Sequence, residues 1–396
     1  MKTLMIAPQP FFQPRGTPFS VLHRLTALSK LGYEIDLLTY PIGEDVRIEN
    51  VHITRTASVP FIKNIAIGPS APKVVLDAVL YAKAVSMLRR GRYDLLHTHE
   101  EAGFMGIRLA RKFKLLHLYD MHSSLPQQLH NFAYSKNKLL VSTFDWLENR
   151  TIESAHAVIT ICPELWNYVT DKFPHKYNKL IENVADNSIV FGEQKPDPQF
   201  RSTFEINGEA VILYTGTFEP YQGLDLLVQA SPKVIEKQKN VRFLVVGGKP
   251  EQVEQYKARV AEAGTGDYFV FTGQRPPEEI PAFMNMADIL VSPRIEGNNT
   301  PLKIYSYLRS GVPIVATKHL THTQVLNEEV AVLTAIEPDD FAQGIVKVLE
   351  DDSYRKAITE NARRLAEKEY SYEAYLKKTQ EVYQYLEALL KRKGGQ

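Results

Sequence analysis

The sequence predicts an α/β protein of two doubly wound parallel sheets, and three observations carry that expectation. The chain has 396 residues, too many for one ordinary hydrophobic core and enough for two domains of similar size. Short apolar runs alternate with longer stretches of helical periodicity from end to end, as repeated strand–helix units require. A polar segment at 185–208 carries Pro196 and Pro198 and divides the alternation into two series.

In the first series, strands are predicted at 3–7, 35–39, 94–97, 115–119 and 157–161. Val21, Leu25 and Leu28 recur at helical spacing between the first two and predict a helix that ends near Gly32. The second series places strands at 211–214, 241–246, 269–271, 288–291, 313–316 and 330–333. The domains expected are 1–187 on the acceptor side, 188–370 on the donor side, and a terminal helix at 371–396. Ser371 is the expected N-cap of that helix, and Tyr375, Val382, Leu386 and Leu389 form its apolar stripe. The stripe either packs on the preceding domain or bridges back to the first.

Composition excludes some partners. Forty-seven basic against 46 acidic residues leave a formal charge of +1, so no global field recruits nucleic acid, and an anionic ligand needs a local site. The single cysteine, Cys162, rules out an internal disulfide and points to the cytoplasm. Residues 1–7 meet Pro8 and Pro10 after a very short apolar run, unlike a signal peptide. The segment 74–88 is interrupted by Asp77 and Lys83 and is shorter than the roughly 20 apolar residues that span a bilayer. The basic residues Lys63, Lys73, Lys83, Arg89, Arg90 and Arg92, set among apolar ones, leave peripheral contact at the inner membrane face as the alternative to an ordinary packed helix.

Ligands of open α/β sheets sit outside the carboxyl ends of the strands, so loops that follow strands are the candidate sites. The segment Ser292 to Lys303 is the most specific. Thr300 and Pro301 read as N-cap and first residue of a helix, whose free amides attract phosphate or sugar hydroxyls, with Glu296 placed to accept hydroxyl hydrogen bonds. In the loop from Tyr214 to Gly223, glycines permit close approach of a diphosphate. Arg15 and Gly16 follow the first strand. Asp120 and His122 end another strand, and His97 and His99 the one before it. Two histidines without a specified third ligand do not favour a metal.

Taken in order, the loop at Gly16, His122, the loop from Gly216 to Gly223, Glu296 and the turn at Gly311-Val312-Pro313 resemble retaining glycosyltransferases of family 4. The segments Ser154 to Ile159 and Glu182 to Asp186 add to the likeness, which covers nearly the whole chain. The resemblance implies a GT-B fold, two Rossmann-like domains facing across a cleft, with a nucleotide-sugar donor held mainly by the second. It also implies a sugar or lipid acceptor, no obligatory metal or cofactor, and retention at the anomeric carbon. Carried over, His122 lines the reacting sugar and Glu296 binds donor-sugar hydroxyls. The amides of Asn298, Asn299 and Thr300 orient the donor, and Gly16 lets the first loop approach the diphosphate.

This chain departs from the family pattern at three donor positions. Thr217 and Gln222 stand where an arginine and a lysine usually meet the diphosphate, and Ser306 where a glutamate usually holds the ribose. The replacement cations expected are Lys303 and one of Arg294, Arg275, Lys249 and Arg15. The departures keep two rivals open: an enzyme of the same fold with a sugar-phosphate or lipid-linked donor, and a catalytically silent binding protein.

Overall fold

A computed structural model describes residues 1–13, 16–60, 62, 71–126, 138–185 and 200–394. They form two compact units: Met1–Asn183 with Glu373–Gln396, and Val184–Tyr372.

In unit 1 the strands are β1 (Lys2–Ala7), β2 (Glu34–Thr39), β3 (Val51–Arg55), β4 (Leu95–His99), β5 (Leu116–Met121), β6 (Ala157–Thr160) and β7 (Asn178–Leu180). They pair in the order β3-β2-β1-β4-β5-β6-β7, all in parallel. The helices are α1 (Gly16–Lys30), α2 (Ala71–Arg90), α3 (Ala102–Phe113), α4 (Lys138–Ser154) and α5 (Pro163–Lys172). Leu4, Met5, Ile6 and Ala7 of β1 are wholly buried, which is why this strand reads as a continuous apolar run and not as an alternation.

Unit 2 contains β8 (Ala210–Thr215), β9 (Val241–Val246), β10 (Phe269–Gly273), β11 (Ile289–Ser292), β12 (Ile314–Thr317) and β13 (Val332–Thr334), paired as β10-β9-β8-β11-β12-β13. Its helices are α6 (Leu224–Lys237), α7 (Pro250–Glu262), α8 (Ile280–Asn285), α9 (Leu302–Ser310), α10 (Leu320–Thr323), α11 (Pro338–Glu350) and α12 (Asp352–Glu369). Alternate residues of β8 serve two cores: Ile212 and Tyr214 pack with α6 and α11, while Val211 and Leu213 pack with α9 and α12. The sheet is therefore covered on both faces.

The last helix, α13 (Tyr372–Gly394), belongs to unit 1. It buries Tyr375, Thr379, Val382, Tyr383 and Leu386, stacks Tyr385 on Tyr177 with centroids 4.0 Å apart, and places Lys378 3.7 Å from Glu182.

Both sheets reverse direction in strand order beside their first strand, between β1 and β4 and between β8 and β11. Such switch points open a crevice at the strand carboxyl ends. Two strands escape the sequence reading. β3 lies at a sheet edge and is only partly buried, and β7 is three residues, the polar Asn178 and Lys179 and the apolar Leu180, recruited by pairing to β6. Of the polar segment expected between domains at 185–208, residues 186–199 lie outside the described residues.

Candidate functional site

In unit 2 the candidate site is built from the loops that follow β8 and β11. The β8 loop turns at Gly216 and Gly223, both with positive φ, +150° and +70°. A Cβ at Gly223 would collide with the Pro293 carbonyl, so glycine lets the two loops touch, and the Ile295 amide donates to the Tyr221 carbonyl at 3.1 Å. Tyr214 donates its hydroxyl to the Thr217 carbonyl at 2.7 Å, and Phe218 is buried against Tyr256. Thr217 thus holds the loop by its backbone, with an exposed side chain, and Gln222 closes a turn by donating its amide to Glu219.

The β11 loop is braced from below by His322, whose Nε2 lies 2.8 Å from Ser292 Oγ and whose Nδ1 lies 2.9 Å from the Thr317 carbonyl. Burial lowers its pKa to about 3, so this imidazole is neutral. Gln324 donates to the Asn298 carbonyl at 2.6 Å, and Arg294 Nε to the Glu296 carbonyl at 2.8 Å. The Glu296 side chain is exposed, as a hydroxyl acceptor must be before ligand arrives. Asn299 is partly buried beside it.

The helix start differs by one residue from expectation. Pro301, with φ −62° and ψ 135°, is the N-cap of α9, and Leu302 is its first residue. The extended ψ of Pro301 prevents Thr300 from capping. Thr300 is buried and among the described residues its Oγ1 has no hydrogen-bond partner, a polar atom at the loop end that a ligand would satisfy.

Lys303 rises from the first turn of α9. Its Nζ donates to the Thr215 carbonyl at 3.0 Å and lies 4.2 Å from the Tyr214 ring centroid. Burial, and then the charge of Arg294, lower its pKa to about 7. Ser306, one turn further on, is buried. Of the other proposed replacement cations, Arg275 lies over Phe204 and 3.8 Å from Glu279, while Lys249 is the N-cap residue of α7 through its backbone and its side chain is exposed. Arg15 lies outside the described residues, and Lys63 does too.

In unit 1, Gly16 opens α1 with φ +33°, and no atom would meet a Cβ there. Thr17 donates to Glu100 at 3.1 Å. The strand-end histidines surround Asp120, which is wholly buried. Asp120 Oδ2 accepts from Arg24 Nε at 3.0 Å and lies 3.3 Å from His97 Nε2, while Oδ1 lies 3.3 Å from His122 Nε2. His122 Nε2 is also 2.9 Å from His99 Nδ1. Against the upward push of burial, Arg24 and then His122 and His99 hold the Asp120 carboxyl well below the usual range. Burial lowers His97, takes His99 well down and brings His122 to about 4, so the rings are neutral at pH 7.

Helix α13 completes this cluster. Arg24 donates from its second nitrogen to Thr379 at 2.9 Å, and Tyr383 lies 3.0 Å from His97 Nδ1. Asp120 supplies the third group that the His97 and His99 pair lacked in sequence: its ligand atom and theirs lie within 4.8 Å of one another. The guanidinium already neutralises that carboxylate, however, which leaves a weak attraction for a metal ion. Arg24, Thr379 and Tyr383 were not candidates from sequence. The one signal was a charged residue on the apolar stripe of α1, between Val21 and Leu25.

Two doubly wound units of this strand order, each with polar loops at the carboxyl ends beside its switch point, define a GT-B glycosyltransferase. The chain matches the model of Glycosyltransferase Family 4 over residues 14–186 and that of Glycosyl transferases group 1 over residues 197–365. It belongs to the family 4 glycosyltransferases and is an enzyme. It is similar to an uncharacterized glycosyltransferase of Methanocaldococcus jannaschii, 24% identical over 90% of each chain. It is also similar to the phosphatidyl-myo-inositol mannosyltransferase of Mycobacterium tuberculosis, 21% identical over 97% of each. Among solved structures, sucrose-phosphate synthase from Thermosynechococcus elongatus superposes with a TM-score of 0.80 at 20% identity, over 98% of this chain and 99% of that one. A structure of Anabaena HepE in complex with UDP and glucose follows with 0.75 at 16% identity, over 97% and 99%.

Proposed function

We propose that the protein transfers a sugar from a nucleotide-sugar donor, with retention at the anomeric carbon and without an obligatory metal. The observation that carries this reading is the Glu296 loop: an exposed carboxylate, a Thr300 hydroxyl without a hydrogen-bond partner among the described residues and a helix start gathered at the carboxyl end of β11, against the glycine turns of the β8 loop. Nucleotide sugar chemistry asks for this. A departing diphosphate needs positive charge and amides, and a positively charged anomeric centre needs positioning more than a strong nucleophile. Structural relatives solved with UDP and with UDP-glucose support a nucleotide donor.

In this reading Glu296 accepts from donor-sugar hydroxyls, the segment Asn298 to Thr300 orients the donor, and His122, neutral at pH 7, contacts the reacting sugar. The acceptor is a sugar or a lipid. A lipid draws support from relatives such as the mannosyltransferase above and the alpha-monoglucosyldiacylglycerol synthase of Streptococcus pneumoniae. It also draws support from α2, whose exposed side carries Val74, Val75, Ala78 and Ala82 ahead of Lys83, Arg89 and Arg90. That surface suits peripheral contact with an anionic membrane; among the described residues no helix is long and apolar enough to cross one.

The test is release of nucleoside diphosphate from UDP-glucose, GDP-mannose and ADP-glucose, each supplied with phosphatidylinositol vesicles, diacylglycerol vesicles or soluble sugars. One pairing should release product with wild type, and Glu296→Ala and His122→Ala should each lower kcat/KM by about 100-fold or more. Release with the two variants equal to wild type would remove the assignment of these residues. Release from a sugar phosphate alone would move the donor to the non-nucleotide class.

A further inference from the structure

We propose that Lys303 and Arg294 together receive the donor's diphosphate in place of the cations missing at Thr217 and Gln222. The inference rests on the reading of unit 2 as a nucleotide-sugar domain and adds to it a specific receptor and a pH dependence.

The geometry comes first. Both cations lie against the glycine loop that follows β8: Lys303 Nζ bonds the Thr215 carbonyl at its start, and the Arg294 guanidinium lies 4.9 Å from the ring centroid of Tyr221 further along it. A Cβ built on Gly216 would be 3.7 Å from Lys303 Nζ, so the ammonium stands where the loop has no side chain. Among the described residues no carboxylate pairs with either cation. Their partners are carbonyl oxygens and aromatic faces, which satisfy hydrogen bonds but cancel no charge.

The surroundings then fix the sign. Lys303 is faced by Tyr214 of β8, by the charge of Arg294 in the β11 loop and by His322 of α10, and it shares Thr215 as a partner with Tyr307 of its own helix α9. Around Arg294 stand Tyr214, Tyr221, His319 and Glu296. None of the groups facing Lys303 is an anion at neutral pH: burial keeps Tyr307 at about 12 and His322 neutral. Burial and the Arg294 charge bring Lys303 to about 7, so roughly half of the free protein lacks the ammonium at pH 7. A diphosphate within hydrogen-bond reach favours the charged form and raises that pKa. Binding therefore takes up part of a proton, and a larger part as pH rises through 7. Affinity is full below pH 7 and falls toward tenfold per unit above it.

Titration calorimetry of the whole protein with UDP-glucose, GDP-mannose and ADP-glucose at pH 6, 7 and 8 tests this, each in two buffers of different ionisation enthalpy. A nucleotide sugar is the right probe because its bridging diphosphate does not titrate in this range. For the sugar nucleotide that binds, the expected result is proton uptake rising from pH 6 to pH 8 in wild type. Lys303→Met should weaken binding roughly 10- to 100-fold at pH 6 and abolish uptake. Lys303→Arg, charged throughout, should keep the affinity and lose its pH dependence. Binding that is tight but independent of pH, or unaffected by Lys303→Met, would overturn the inference and leave the nucleotide-sugar reading standing. Failure of all three sugar nucleotides to bind a cooperatively folded protein would overturn both.

Discussion

Arg24 and Asp120 form an ion pair at 3.0 Å in which the arginine side chain is 2% exposed and the aspartate not at all. Three histidines and three residues of the C-terminal helix, Tyr375, Thr379 and Tyr383, are arranged around it. The pair is the charge balance of the unit 1 cluster, because a buried carboxylate among neutral imidazoles needs a cation that does not titrate, and arginine is the one side chain that supplies it. Arg24→Met should destabilise the protein by about 3–5 kcal/mol, the cost of leaving one member of a buried pair uncompensated, while Arg24→Met combined with Asp120→Asn should cost less than the single change. Urea unfolding of the two variants checks this; equal or additive losses would contradict it.

Buried histidines in both units set a pH dependence. Folded-state values of His122, about 4, and of His117 and His322, about 3, lie below the unfolded value near 6.5. The unfolded chain then binds more protons as pH falls below 6.5, so these groups contribute stability that is present above 6.5 and lost as pH falls toward their folded values. Each contributes up to about 1.4 kcal/mol per pH unit in that window. Asp120 acts with the same sign lower down, below its unfolded value. Unfolding midpoints in urea should fall steeply from pH 6.5 to pH 4.5, and a flat profile there would contradict neutral buried histidines.

Glu296 separates binding from stability. Its side chain is exposed and, among the described residues, makes no hydrogen bond or ion pair, so Glu296→Ala should shift unfolding free energy by less than about 0.5 kcal/mol while removing donor affinity. A variant that unfolds much more easily would make the residue structural.

Gly223 couples the two donor loops. At φ +70° and against the Pro293 carbonyl, Gly223→Ala should cost at least about 1 kcal/mol and displace the β11 loop, lowering donor affinity even though residue 223 supplies no charge. Wild-type affinity in this variant would show that the loops need not touch.

Much of this was legible in sequence, and the parts that were not have physical reasons. The central strands of both sheets are buried on both faces, so their apolar runs are unmistakable. Edge strands β3 and β7 are not: β3 is a short, partly buried alternation of five residues, and β7 is three residues defined by its pairing to β6. Glu296, Gly216 and Gly223 were readable because loops after parallel strands in doubly wound folds carry ligands. The choice of Lys303 and Arg294 over Arg275 and Lys249 required coordinates, because spacing does not say which cation is stacked on phenylalanine and which faces a glycine loop. Arg24 looked like one basic residue in an ordinary helix. Its role depends on Thr379, some 355 positions away in sequence. The Thr300 cap was misplaced by one residue because Pro301 remained extended.

The most direct measurement of the central claim is thermal unfolding of the purified protein, wild type and Glu296→Ala, against a panel of nucleotide sugars, free nucleotides and sugar phosphates. A true donor at about 100 times its dissociation constant should add roughly 2.7 kcal/mol to wild type and nothing to the variant. Stabilisation of both proteins alike, or of neither by any nucleotide sugar, would contradict a donor site built on the Glu296 loop.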